Sequence, residues 1–79
     1  MRIEIGDGAL RVNMGARWLT LSLSPAPPDE HTDYVVFIDD IDRWDAPHDD
    51  EEVDVEALPR IFAAIEAEFD RRGETVEFE

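Results

Sequence analysis

The sequence contains no cysteine and no lysine. Without cysteine, a disulfide, a thiolate zinc site and a cysteine nucleophile are all excluded, which suits a reducing compartment. No long apolar run is present, so a membrane span is not expected. The first residues, MRIEIGDGALRV, alternate from the start and lack the apolar core of a signal peptide. A cytoplasmic location is expected. With no lysine, all 7 basic residues are arginine, a bias of genome composition rather than mechanism.

What is abundant is acid. Asp and Glu number 21, and the net charge is −14 over 79 residues. A chain of this length makes one domain, 1–79, and buries only roughly 60–65% of the surface it exposes when unfolded. Self-repulsion on this scale weakens the compact state and keeps it soluble. It argues against binding nucleic acid or an anionic membrane, both of which need a basic footprint. It favours basic partners or cations. Adaptation to high salt is the competing explanation, because acidic surfaces are common there and screening holds them together.

The hydrophobic pattern predicts a fold. Met1 to Ile5, Ala9 to Met14 and Arg17 to Ser24 each alternate with the period of a half-buried strand. Gly6-Asp7-Gly8 and Gly15-Ala16 join them as short turns, so an antiparallel meander is expected. Pro25, Pro27 and Pro28 mark a surface loop. Tyr34 to Ile38, YVVFI, suits a central strand.

Leu58, Ile61, Phe62, Ile65 and Phe69 then form one apolar stripe at helical spacing. Asp54 is the expected N-cap with Glu56 in the first turn. Pro59 allows a later start, with the proline near the first helical position. Arg71, Arg72 and Gly73 mark the end. Thr75 to Phe78 makes a last strand. The order β-β-β-β-α-β predicts an α+β domain. Its antiparallel or mixed sheet of about five strands is covered on one face by a single amphipathic helix. The strands before and after the helix are expected to form a right-handed crossover.

Between the YVVFI strand and the helix lies DDIDRWDAPHDDEEVD, residues 39–54, in which nine of sixteen side chains are acidic. Asp39, Asp40, Asp42 and Asp45 loosely follow a calcium spacing, but the glycine of an EF-hand loop is missing and Arg43 intrudes. His48 with Asp49, Asp50, Glu51 and Glu52 offers loose counter-ion binding rather than a defined metal site, so neither metal nor cofactor is expected. His31 and His48 stand beside no oriented nucleophile, and Ser22 and Ser24 beside no base. Paired carboxylates can perform glycosidase chemistry, but a domain with one helix has little room for a cleft. An enzyme is not expected.

Trp44 has two possible roles. It can fold back to cap the core, or stand out as an aromatic anchor ringed by charge, as interface hot spots do. Trp18, on the polar face of its strand, can pack on Tyr34 or form a second exposed patch. Acid steers a basic partner and tryptophan supplies contact area. The partner-binding set read from this pattern is Asp39, Asp40, Asp42, Trp44, Asp45, His48, Asp49, Asp50, Glu51 and Glu52. Neutralising Asp49, Asp50, Glu51 and Glu52 together is expected to slow association, and Trp44→Ala to raise the off-rate.

Several of these features also resemble one family. The I-x-x-W segment at Ile41 to Trp44, the acidic loop from Pro47 to Glu51, the single helix, the terminal VEFE and the N-terminal RIEI strand are similar to the Immunity protein 74 family of bacterial polymorphic toxin systems. Pro59 within the helix and the prolines at 25–28 depart from it. The resemblance implies a small immunity protein that neutralises a cognate toxin in the producing cell and its kin. It carries no toxin contact over to any residue. Combined with the charge, it leads us to expect a basic toxin, such as a nuclease, whose bound phosphate array an acidic inhibitor mimics. The alternative is a non-catalytic structural or regulatory interaction domain with another partner.

Overall fold

The computed structural model describes residues 1–38 and 41–79. Its elements are β1 (Arg2–Ile5), β2 (Ala9–Met14), β3 (Arg17–Pro25), β4 (Tyr34–Phe37), α1 (Leu58–Arg71) and β5 (Val76–Phe78). They form a five-stranded mixed sheet in the order β1-β2-β3-β4-β5. The first four strands are antiparallel neighbours, and β5 lies parallel to β4. A parallel pair needs a crossover, and α1 provides it.

Register turns the alternation into a core. Ile3, Val12 and Leu19 align across three strands, as do Ile5, Leu10 and Leu21. Leu23, Val36 and Phe78 form a third row. A slip of one residue would send each row to the opposite face. Gly8 and Gly15 take positive φ in the two turns, 79° and 66°, a region where a Cβ is strained.

Helix α1 lays Ile61, Ile65 and Phe69 on this face, all at most 1% exposed. Each such burial contributes about 1.5–3 kcal/mol. Phe62 packs on Phe78 at 4.9 Å between ring centroids, and Tyr34 on Phe69 at 5.5 Å.

The helix starts later than an Asp54 cap would give. Residues 54–57 make a turn closed by the Ala57 amide donating to the Asp54 carbonyl. Ala57 is the N-cap residue, without a side-chain cap bond, and Pro59 falls in the first positions. There the missing N–H leaves no helical bond unmade. Glu56 therefore lies outside the first helical turn, and Leu58 opens the helix half-buried rather than joining the buried stripe. Gly73, at φ 74°, ends it as expected.

A second contact ties the crossover together. The Asp33 carboxylate accepts the Thr75 backbone N–H at 2.9 Å and its hydroxyl at 3.2 Å. The Asp33 N–H donates back to Thr75 Oγ1 at 3.0 Å. This exchange aligns the start of β5 with the start of β4.

The sheet's other face is mostly polar and uncovered by the helix, with Phe37 and Val35 of β4 among its apolar members. Arg11, Thr20, Ser22 and Glu77 are exposed there. Arg11 lies 4.4 Å from the centroid of the Trp18 ring. Trp18 is thus half-buried under a guanidinium. It does not meet Tyr34, whose register with Val76 places it on the core face.

Candidate functional site

The described part of the acidic connection, residues 41–54, is folded, and the reason lies in β3. That strand has nine residues, but β4 pairs only with Ser22 to Pro25. Among the described residues, the first half of β3 therefore has an edge with no strand beside it. Asp45 fills the place. Its N–H donates to the Trp18 carbonyl at 2.8 Å. Its carboxylate accepts the Thr20 N–H at 3.2 Å and the Thr20 hydroxyl at 2.6 Å. One residue thus occupies donors and acceptors that another strand would otherwise use.

Around this anchor residues 42–53 fold as a small hairpin. Arg43 and Glu52 form an antiparallel bridge. The Trp44 amide donates to the Glu51 carbonyl and the Val53 amide to the Asp42 carbonyl. Turns across the tip link the His48 amide to the Asp45 carbonyl and the Glu51 amide to the His48 carbonyl.

Trp44 points inward. It is 7% exposed and joins the core with Leu19 and Ile61. Of its two possible roles it takes the core-capping one. As an exposed anchor it would have to leave that core, so the expected simple off-rate effect of Trp44→Ala gives way to an effect on folding.

Glu51 is the hairpin's second tie. Its carboxylate accepts Arg17 Nη2 at 2.6 Å and lies 2.8 Å from His48 Nδ1. A carboxylate can only accept, so Nδ1 carries the hydrogen. The Arg17 hydrogen bond, followed by that of His48, holds the Glu51 carboxyl below its ordinary value of 4.5. Arg17 stands 34 positions from Glu51 in sequence, a pairing that no local pattern announces.

The ten residues read as a binding set thus separate by position. Trp44 is in the core, while Asp45, His48 and Glu51 are half-buried and hold the hairpin in place. Asp42, Asp49, Asp50 and Glu52 are exposed on its surface. Asp39 and Asp40 lie outside the described residues. Among the described residues, no group of three or more His, Asp or Glu side chains could hold a metal ion.

Beside the hairpin runs an open groove of about 350 Å³. Met14, Trp44 and Ala57 are its apolar lining, or floor, and Glu51, Glu52 and Asp54 its acidic lining. Arg17 also lines it, bound to Glu51. The composition gave notice of the acid, but the floor is made by residues far apart in sequence.

The chain is thus a small α+β domain with an ordered acidic hairpin set against the uncovered half of β3. The chain belongs to the Immunity protein 74 family, whose model matches residues 2–79. No curated protein and no solved structure matches it. Membership implies binding to a cognate toxin, and immunity proteins are in general non-catalytic. Among the described residues, no helix is long and apolar enough to cross a membrane.

Proposed function

We propose that this chain is the immunity component of a bacterial polymorphic toxin system, and that it neutralises a basic toxin by binding it through the acidic hairpin, without catalysis. Family membership over residues 2–79 is the observation that carries the proposal. The hairpin supports the binding face. Its exposed Asp42, Asp49 and Asp50 stand on a frame held by Asp45 and Glu51. A pre-ordered acidic surface steers a cationic partner and loses little entropy on docking. A toxin that binds phosphate carries the matching charge, so the hairpin acts in place of the nucleic-acid backbone. The complex forms where the toxin would otherwise act, in the cytoplasm.

Capture from the native host tests this. Tagged protein is washed at low and at moderate salt, and bound proteins are identified by mass spectrometry. One stoichiometric partner with a basic domain is expected. A heterogeneous set of basic proteins, all lost at moderate salt, would reduce the hairpin to a charged surface.

A further inference from the structure

The groove beside the hairpin is suited to one kind of occupant. Its floor is Met14, Trp44 and Ala57, and its volume of about 350 Å³ admits a long side chain. Glu52 and Asp54 line the groove too, and neither forms an ion pair among the described residues. Among these residues the Asp54 carboxylate accepts only the Glu56 backbone N–H, at a long 3.4 Å. The third acid, Glu51, is already engaged by Arg17 at 2.6 Å. A guanidinium in this wall is therefore a geometry the protein itself displays.

Other occupants fit less well. A divalent cation needs several oxygen ligands, whereas the floor is apolar and no group of three ligating side chains gathers among the described residues. A second copy of the chain brings a net charge of −14 against the same charge, and the two repel. An anionic side chain is repelled by Glu52 and Asp54, and a neutral one can hydrogen-bond them but leaves both charges uncompensated. Arginine satisfies both halves. Its stem covers apolar surface while its planar head binds carboxylates in pairs and stacks on aromatic rings.

We propose that this groove is the receptor for an arginine side chain of the partner protein, with Glu52 and Asp54 binding the guanidinium and Met14, Trp44 and Ala57 packing along the stem. The proposal rests on the immunity reading for the identity of the partner, while the groove's chemistry stands on its own residues. Arg60 lines the adjoining depression with Met14, Asp54, Glu56 and Ala57. It is an internal cation that can compete for Asp54, as Arg17, held by Glu51, already lines the groove itself. The groove also divides the labour of the surface. Asp42, Asp49 and Asp50 act at a distance, and Glu52 and Asp54 act on contact.

The test is an NMR titration of isotope-labelled protein with the blocked tripeptide Ac-Gly-Arg-Gly-NH2, with its glutamine counterpart as control. Shifts that saturate and centre on the Met14 and Ala57 amides and the Trp44 indole are expected with arginine and not with glutamine. Glu52→Gln with Asp54→Asn removes them. Asp49→Asn with Asp50→Asn leaves them in place, and Arg60→Gln strengthens binding. The starting spectrum of each variant reports whether it is folded. Shifts scattered over exposed acids such as Glu66 and Asp70, equal binding of the glutamine peptide, or no response to the Glu52 and Asp54 substitutions would each overturn the proposal. The titration uses no toxin. Its failure leaves the immunity reading intact, and a failed capture from the host leaves the titration result intact.

Discussion

Asp45 and Thr20 are joined twice, the Asp45 carboxylate accepting both the backbone N–H and the hydroxyl of Thr20. This pair fastens the acidic hairpin to the half of β3 that β4 leaves uncovered. Asp45 is thus an acid with a structural task inside a segment whose charge suggests only binding. Asp45→Ala should destabilise the domain by about 1–2 kcal/mol, the scale of lost charge-assisted bonds at a wet site. Urea denaturation followed by tryptophan fluorescence measures it. A midpoint equal to the parent's would mean that the hairpin is held elsewhere.

Trp44 tests the core side of the same hairpin. Truncating a buried tryptophan to alanine costs about 3–5 kcal/mol. A domain of this length has only about 4–12 kcal/mol in total. Trp44→Ala should therefore lose much or all of its cooperative thermal transition, seen by circular dichroism. An unchanged transition would show that Trp44 contributes little to the fold and return it to the role of a free anchor.

The Arg17–Glu51 pair gives a pH dependence with a defined sign. The folded-state carboxyl of Glu51 is lowered by Arg17 and then His48. Its contribution is fully present above the unfolded-state value. It is lost as pH falls through the depressed folded-state value, where the unfolded chain binds the proton first. Stability should thus decline on acidification from the ordinary glutamate value of 4.5 downward. Glu51→Gln should lose part of this decline. Denaturation midpoints of parent and variant across that range give the comparison. Parallel curves would remove Glu51 from the acid response.

Steering and anchoring separate in the kinetics of the complex. With Glu51 tied to Arg17, neutralising it would disturb the hairpin as well as the charge. The variant that leaves the Glu51 tie in place combines Asp42→Asn, Asp49→Asn and Asp50→Asn. Among the described residues only Asp42 of these has an ion pair, an exposed one with Arg43 at 3.7 Å that contributes little. Its association rate with the captured toxin should fall roughly tenfold at low salt and approach the parent's as screening increases. The dissociation rate should change little. Stopped-flow measurements at several ionic strengths decide, and equal association rates at low salt would remove the hairpin from the encounter.

Much of the fold was legible because the sheet follows strict alternation and the helix one stripe. Leu10, Val12, Leu19, Leu21 and Leu23 are where period-two reasoning puts them, and Ile61, Ile65 and Phe69 where period-3.6 reasoning does. The helix start was less legible. Asp54 has the chemistry of a cap, but its carbonyl closes a turn that precedes the helix. The hairpin was visible only as a run of charge. Its order comes from Asp45 meeting Thr20 and Glu51 meeting Arg17, and both meetings depend on β4 being shorter than β3. Trp18 shows the same limit. Its partner is Arg11, a diagonal neighbour that appears only once β2 and β3 are in register.

The central claim is neutralisation, and co-expression tests it most directly. The captured basic domain is induced in a susceptible bacterial host, alone and together with this chain, and growth is followed. Arrest by the domain alone and growth restored by the chain are predicted, with less protection from the chain carrying Glu52→Gln and Asp54→Asn. Arrest that persists when both proteins are present as a soluble complex would contradict the account.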